Sequence, residues 1–149
     1  MLTKATEYAI RGLVAIEMNN NNGIRPGFKQ IAREVEAPEQ YMAKILQTLT
    51  KHQFISSVRG RGGGFFFDSK KKQDLTLYEV VTIMEGVGFF TKCGFGFNHC
   101  DANNPCPLHN EFQNIRDAFT DLVKRETIQS LARKVENGEA VLSRLNIQN

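Results

Sequence analysis

The chain has 149 residues, 41% of them apolar, with three cysteines and a formal charge of +3. That suffices for one domain, or one domain with an oligomerisation arm, around its own core. No stretch reaches the roughly eighteen consecutive apolar residues of a membrane span, the N-terminal residues lack the apolar run of a signal peptide, and an odd number of cysteines does not make a disulfide framework. We therefore expect a cytoplasmic protein whose thiols serve metal or redox chemistry.

Tyr8, Ile10, Leu13, Val14 and Ile16, with Ala5, Ala9 and Ala15 among them, predict a helix over 4–18 with one buried face. Thr3 is its candidate N-cap, and the polar run Asn19–Gly23 its stop. Glu7 falls in its first turn, where an acid ordinarily answers the helix dipole. Phe28, Ile31, Ala32 and Val35 then mark a short helix over 28–35. Pro38 breaks the pattern and can open the next helix, which runs to about His52 with Tyr41, Ile45, Leu46 and Leu49 on its apolar side. Two short helices around a tight break form a helix-turn-helix. The second exposes Glu39, Gln40, Lys44, Gln47 and Lys51, and Gln and Lys can bond base edges or phosphates.

Phe54–Val58 and Phe65–Phe67 read as strands around Arg59-Gly60-Arg61-Gly62-Gly63-Gly64, a glycine-rich hairpin turn. A helix-turn-helix followed by such a hairpin is a winged helix. Between Lys44 and Lys72 stand seven basic residues against the single acid Asp68, a local field that attracts polyanions. Basic runs are often plain solvated surface, and glycines often serve a turn alone. The motif order nevertheless favours DNA. A nucleotide phosphate loop is the weaker reading, because no helix follows the glycines directly and no Gly-Lys-Ser/Thr ends them. The DNA-contact candidates are Gln40, Tyr41, Lys44 and Gln47 on the recognition helix, Ser56 and Ser57 towards phosphate, and Arg59, Gly60 and Arg61 at the wing tip. Tyr41 is ambiguous, since its ring suits the core and its hydroxyl suits DNA.

After the polar linker Lys70–Asp74, Thr76 and Glu79 form a capping-box pattern for a helix through Val80, Val81, Ile83 and Met84, ending at Gly86. From about Leu108 to Arg125 the residues Phe112, Ile115, Phe119 and Leu122 form a narrow apolar seam, which suits pairing with another helix. The simpler use of such a seam is the chain's own core. A homodimer is favoured because winged-helix proteins read symmetric half-sites. Thr127 restarts a short helix, and the last dozen residues are expected to dock weakly or fray.

Between these helices, residues 93–109 hold all three cysteines and two of the three histidines in a Gly-, Asn- and Pro-rich loop. Six, five and two residues separate Cys93, Cys100, Cys106 and His109. Four such donors suffice to close around a metal centre. Zinc on the same set would make the loop structural. A metal-free alternative uses the thiols in a reversible disulfide or binds a small ligand. A nucleophilic enzyme built on Cys100 and His99 is rejected, because sequence neighbours rarely have attack geometry and no acid–base constellation surrounds them.

Leu2-Thr3-Lys4, Tyr8-Ala9-Ile10-Arg11, Ile31-Ala32, Tyr41–Leu46 and above all Ser57-Val58-Arg59-Gly60-Arg61-Gly62-Gly63-Gly64-Phe65 resemble the Rrf2 family of bacterial transcription regulators, as do Glu85-Gly86 and Cys106-Pro107-Leu108-His109. The resemblance covers residues 1 to about 135. It implies a mainly α fold with a small β-hairpin wing: a winged helix-turn-helix plus a long dimerisation helix. The division it suggests is residues 1–74 for DNA binding and 75–149 for sensor loop and dimerisation. It further implies a homodimer on palindromic, double-stranded promoter DNA, with no membrane partner. Cys93, Cys100 and Cys106 would be thiolate ligands of an iron–sulfur cluster. His109 matches the fourth ligand of IscR-like members and a 2Fe–2S cluster, which is favoured; Glu7 matches the acid that NsrR-like members supply from the partner subunit to a 4Fe–4S cluster. The first spacing is one residue longer than in IscR-like members. A protein prepared in air and lacking its cluster is compatible with this reading. The signal would be redox, iron–sulfur or nitric oxide status.

Overall fold

The structure, a computed structural model, describes residues 2–68 and 74–145. Lys70, Lys71 and Lys72, part of the basic segment expected above, lie outside the described residues. Helix α1 (Lys4–Asn21) is the axis of the assembly. Thr3 caps it, accepting from the Thr6 N–H, as the sequence predicts. It runs on to Asn21 instead of stopping at residue 18, because asparagine side chains take up carbonyls that a helix end leaves open. The Asn19 amide donates to the Ala15 carbonyl at 2.8 Å, and that of Asn22 donates to Met18 at 3.2 Å.

Helices α2 (Phe28–Glu34) and α3 (Glu39–Lys51) form the helix-turn-helix. Met42, Ile45, Leu46 and Leu49 of α3 are buried. Tyr41, expected on the apolar side, is instead 40% exposed, and Met42 fills the core position beside it. Strands β1 (Ser56–Val58) and β2 (Gly64–Phe66) pair antiparallel, Ser57 opposite Phe65. Strand β1 is shorter than the expected Phe54–Val58, since Ile55 turns into the core instead of pairing, and β2 keeps its expected length but starts one residue earlier, at Gly64. The outer edge of β2 is occupied: the Phe65 N–H donates to the Pro26 carbonyl at 2.9 Å.

Helices α4 (Leu77–Glu85), α5 (His109–Arg125) and α6 (Ile128–Glu136) complete the fold. The Thr76–Glu79 capping box is formed. Thr76 and Thr127 bridge antiparallel, so α4 and α6 start from one short backbone ladder: Leu77 N–H to Glu126 at 3.0 Å and Ile128 N–H to Leu75 at 2.8 Å. The side-chain Oε1 of the buried Gln129 accepts from the Leu75 N–H at 2.9 Å.

One core joins all six helices, with Leu13 and Ile16 of α1, Ile31 of α2, Met42 and Leu46 of α3, Val80 of α4, Val123 of α5 and Ile128 of α6 among its members. Met42→Ala is expected to lower stability by about 3 kcal/mol, the usual cost of emptying a fully buried site, measurable by denaturant unfolding. An unchanged midpoint would show that the neighbours collapse into the space. Helix α5 buries Val123 in the core, and its Phe119 packs against that core half-buried. Ile115 and Leu122 of its seam are 57% and 41% exposed. Part of the C-terminal stretch, among the described residues, docks on the fold. Leu142 packs on the core, and Ser143 Oγ donates to Glu36 Oε2 at 3.2 Å, reaching the left-handed turn residue (φ 60°) between α2 and α3.

Candidate functional site

Gln40, Lys44 and Gln47 stand exposed along one side of α3, with Tyr41 beside them. The Tyr41 ring meets Tyr8 of α1 edge-on, with centroids 5.6 Å apart, and the Arg11 guanidinium lies 5.1 Å from the Tyr8 ring centre. The recognition face is therefore braced from α1 through two aromatic rings and a cation.

The wing carries Arg59 and Arg61 at its exposed tip, where the Gly63 N–H donates back to the Gly60 carbonyl at 3.0 Å. Ser57 is exposed and Ser56 is half-buried at the base of β1. Asn20 pins that base: its amide donates to the Ile24 and Phe65 carbonyls, and its oxygen accepts from the Phe67 N–H at 2.9 Å. Arg25, which the sequence reading passed over, stacks its guanidinium 4.0 Å from the Phe66 ring centre, on the wing sheet. Nothing in local sequence marks this pair, because it forms only once the chain after α1 is laid along β2.

Gly64 has φ +149°, and a Cβ there would strike the Arg25 carbonyl. Gly64→Ala is expected to splay the hairpin from that segment and to weaken DNA binding at least about tenfold while most of the helical signal persists, since strain of this kind costs on the order of 1–3 kcal/mol. Wild-type affinity in this variant would mean that the wing base is not needed in its present form.

The cysteine loop begins with a 3-10 turn, Phe89–Thr91, absent from the sequence reading. Phe90 stacks on Tyr78 of α4 at 4.5 Å. Arg116 of α5 donates to the Lys92 carbonyl at 3.0 Å, and Phe112 lies directly on Gly94, where a Cβ would enter its ring. The loop is thus held between α4 and α5. Its middle is shaped by Asp101, which accepts from the Asn103 N–H and the Asn104 amide, both at 2.9 Å. These bonds, the Asn104 amide foremost, hold the Asp101 carboxyl below its ordinary pKa.

Of the four candidate ligands, Cys100 and His109 meet: Cys100 Sγ lies 3.2 Å from His109 Nδ1, with His109 the first residue of α5. The Cys93 thiol lies near the Cys106 side chain and the backbone N–H groups of Phe95, Gly96 and Phe97, each of which lowers its pKa. The Phe95 N–H contributes most to lowering the Cys93 pKa, against the opposing effect of burial, so this thiolate is favoured. A cleft of about 400 Å³ adjoins the Cys100–His109 pair, lined by Lys92, His99, Cys100, His109 and Arg116 among others. Among the described residues no three His, Cys, Asp or Glu side chains converge on a point that would hold one metal ion. Glu7, the alternative fourth ligand, is paired with Lys4 at 3.3 Å.

A family model described as Rrf2, iron-dependent transcriptional regulator, matches residues 2–134. The chain belongs to the Rrf2 family. Like its relatives in that family it is a transcriptional regulator with a DNA-binding winged helix, not an enzyme. It is similar to the HTH-type transcriptional regulator NsrR of Oceanobacillus iheyensis, 24% identical over 148 residues, which covers 99% of this chain and 97% of the relative. Its fold is shared with CymR, the global cysteine regulator of B. subtilis, at TM-score 0.71 and 17% identity over 89% of this chain and 96% of that one. It is likewise shared with T. potens IscR, at TM-score 0.70 and 15% identity over 95% and 92%. As an Rrf2 member the chain carries no helix, among the described residues, long and apolar enough to cross a membrane.

Proposed function

We propose that this Rrf2 regulator is a cytoplasmic homodimer that binds palindromic promoter DNA and adjusts its affinity through an iron–sulfur cluster, 2Fe–2S in preference to 4Fe–4S, held by Cys93, Cys100, Cys106 and His109. The observation that carries the reading is the 3.2 Å contact of Cys100 Sγ with His109 Nδ1, on the same loop as Cys93 and Cys106. A two-iron rhomb takes two protein donors at each iron, and three thiolates with one imidazole match that demand. The backbone N–H groups on Cys93 favour the thiolate, the form that binds iron. Lys92 and Arg116 line the adjoining cleft and offset the negative charge that three thiolates bring. When bound, the cluster supplies a redox- and nitric-oxide-sensitive centre whose stability depends on its one non-thiolate ligand.

The chain's own residues connect that loop to DNA. Helix α5 begins at His109 and presents Ile115 and Leu122 to solvent, which supports α5 as the dimer seam. Residues 1–74 then act as the DNA-reading half and 75–149 as the sensing and pairing half. Gln40, Tyr41, Lys44 and Gln47 enter the major groove, while Arg59, Gly60 and Arg61 approach the backbone or minor groove. Ser56 and Ser57 lie at phosphate.

The test is anaerobic purification followed by iron and acid-labile sulfide counts with a visible spectrum. We expect two irons and two sulfides per chain, lost in His109→Ala and kept in Glu7→Gln. Four irons, with the dependence reversed, would transfer the fourth-ligand role to Glu7. A colourless protein even after reconstitution would defeat the cluster reading. A thiol-based sensor would then be favoured by the Cys93–Cys106 contact.

A further inference from the structure

The Glu85-Gly86 ending of α4 has a place in the fold that the DNA-reading and cluster-holding roles do not use. Glu85 Oε1 accepts three hydrogen bonds from the start of α1: the Thr3 N–H at 2.8 Å, Thr3 Oγ1 at 2.9 Å and Thr6 Oγ1 at 2.6 Å. Thr6 is fully buried. A carboxylate at this spot also answers the positive end of an 18-residue helix. Burial opposes its charge, but the bonds from Thr6 and Thr3 outweigh burial and hold the Glu85 carboxyl below its ordinary pKa.

Each side of this clamp leads to a functional part. Along α1, Tyr8 lies within a turn of Thr6 and meets Tyr41 on the recognition helix at 5.6 Å. In the other direction, Glu85 ends α4, the Gly86 carbonyl accepts from the Phe89 N–H at 3.2 Å, and the 3-10 turn leads to Lys92 and Cys93. The Lys92 charge acts on Glu85 while the Lys92 carbonyl is held by Arg116. Glu85 thus stands between the chain that leads to the first cysteine and the helix whose Tyr8 meets Tyr41, beside Gln40 and Lys44.

We propose that Glu85 is a positioning residue for DNA binding: it fixes the first turn of α1, and through Tyr8 against Tyr41 the pose of α3, and it is the point where a change in the cysteine loop reaches the reading helix. The coupling half of this proposal rests on the loop being a sensor; the positioning half does not. Contiguity alone does not demonstrate coupling, so the test must read the coupling itself.

The experiment compares operator affinity of cluster-loaded and cluster-free protein for the wild type, Glu85→Ala and Glu85→Gln, each normalised to folded content. Hydrogen exchange at the Thr6 and Glu7 amides is measured alongside. In the wild type we expect loaded and empty forms to differ about tenfold or more, within the usual range of coupling between sites. In Glu85→Ala the ratio falls towards one and exchange at the first turn of α1 accelerates. Glu85→Gln restores most of the ratio, because its amide oxygen still accepts the three bonds. A purely structural role would lower the melting temperature and leave the ratio intact, and that result overturns the proposal. If the wild type itself shows no ratio, the sensor reading fails and Glu85 is judged on the empty protein, as it is if Glu85→Ala takes up no cluster. Affinity about tenfold weaker in Glu85→Ala, recovered in Glu85→Gln, then supports positioning, and unchanged affinity overturns it.

Discussion

Replacing Arg59 and Arg61 together by alanine is expected to weaken operator binding about a hundredfold or more at moderate salt. Each arginine that reaches a base edge is worth about 1–3 kcal/mol of discrimination. Each that holds a phosphate flattens the salt dependence by about one unit of slope. Both side chains are at the exposed wing tip, so neither substitution empties a core position. Thermal unfolding should therefore be unchanged, which separates lost contacts from lost structure. Titration of a labelled operator at several salt concentrations measures both terms. A double variant with wild-type affinity would remove the wing from the interface and leave α3 alone to account for binding.

The second large effect concerns the loop. Cys93→Ser is expected to abolish cluster binding, because it removes the thiolate favoured by three backbone N–H groups and also breaks the contact with Cys106. The variant should be colourless and hold no iron while remaining folded, since Cys93 lies outside the buried core. Its affinity for the operator should equal that of the cluster-free wild type and no longer respond to nitric oxide or oxidant. Gly94→Ala offers a contrast in which every ligand is present. An added methyl would displace Phe112 and with it the seat of the loop on α5. Visible absorbance and iron content measure both variants. A brown Cys93→Ser protein with full iron would take Cys93 out of the ligand set.

The helices were legible because their signals are local. Thr3, Thr76 and Thr127 each cap a helix, and the α3 positions Ile45, Leu46 and Leu49 recur at helical spacing and are buried. The wing was legible from its glycines and from the hydrophobic runs on either side. What the sequence did not disclose depends on segments far apart in the chain. Tyr41 faces outward because Met42 occupies the core and Tyr8, arriving from α1, offers an aromatic edge at the surface. Arg25 on Phe66, Ser143 on Glu36 and Glu85 on Thr3 and Thr6 join residues about 40 to more than 100 apart, and no periodicity encodes such meetings. The loop's ligand spacing suggested a single centre, and of the four donors the fold sets Cys100 against His109. The reason is physical: the Asp101 turn between Cys100 and Cys106 and the start of α5 at His109 fix which donors are neighbours.

The 3-10 turn and the aromatic packing around it had weak sequence signals of their own. Phe89 and Phe90 follow Gly88 in a stretch without helical repeat, and their partners Tyr78 and Phe119 lie on two different helices. Phe89, Phe90 and Phe119, with Phe112, Ile115 and Arg116, line an apolar cleft of about 190 Å³ on the open side of α5. That cleft adjoins the exposed Ile115 of the proposed dimer seam.

The most direct measurement is operator affinity of a single anaerobic preparation before and after its cluster is removed by chelation, with dimer content followed by sedimentation. The account predicts a dimer in both states and an affinity that changes about tenfold or more between them, at unchanged helical content. Equal affinity in the two states, across several operators, would contradict it, leaving a DNA-binding Rrf2 regulator whose cysteine loop does not control DNA.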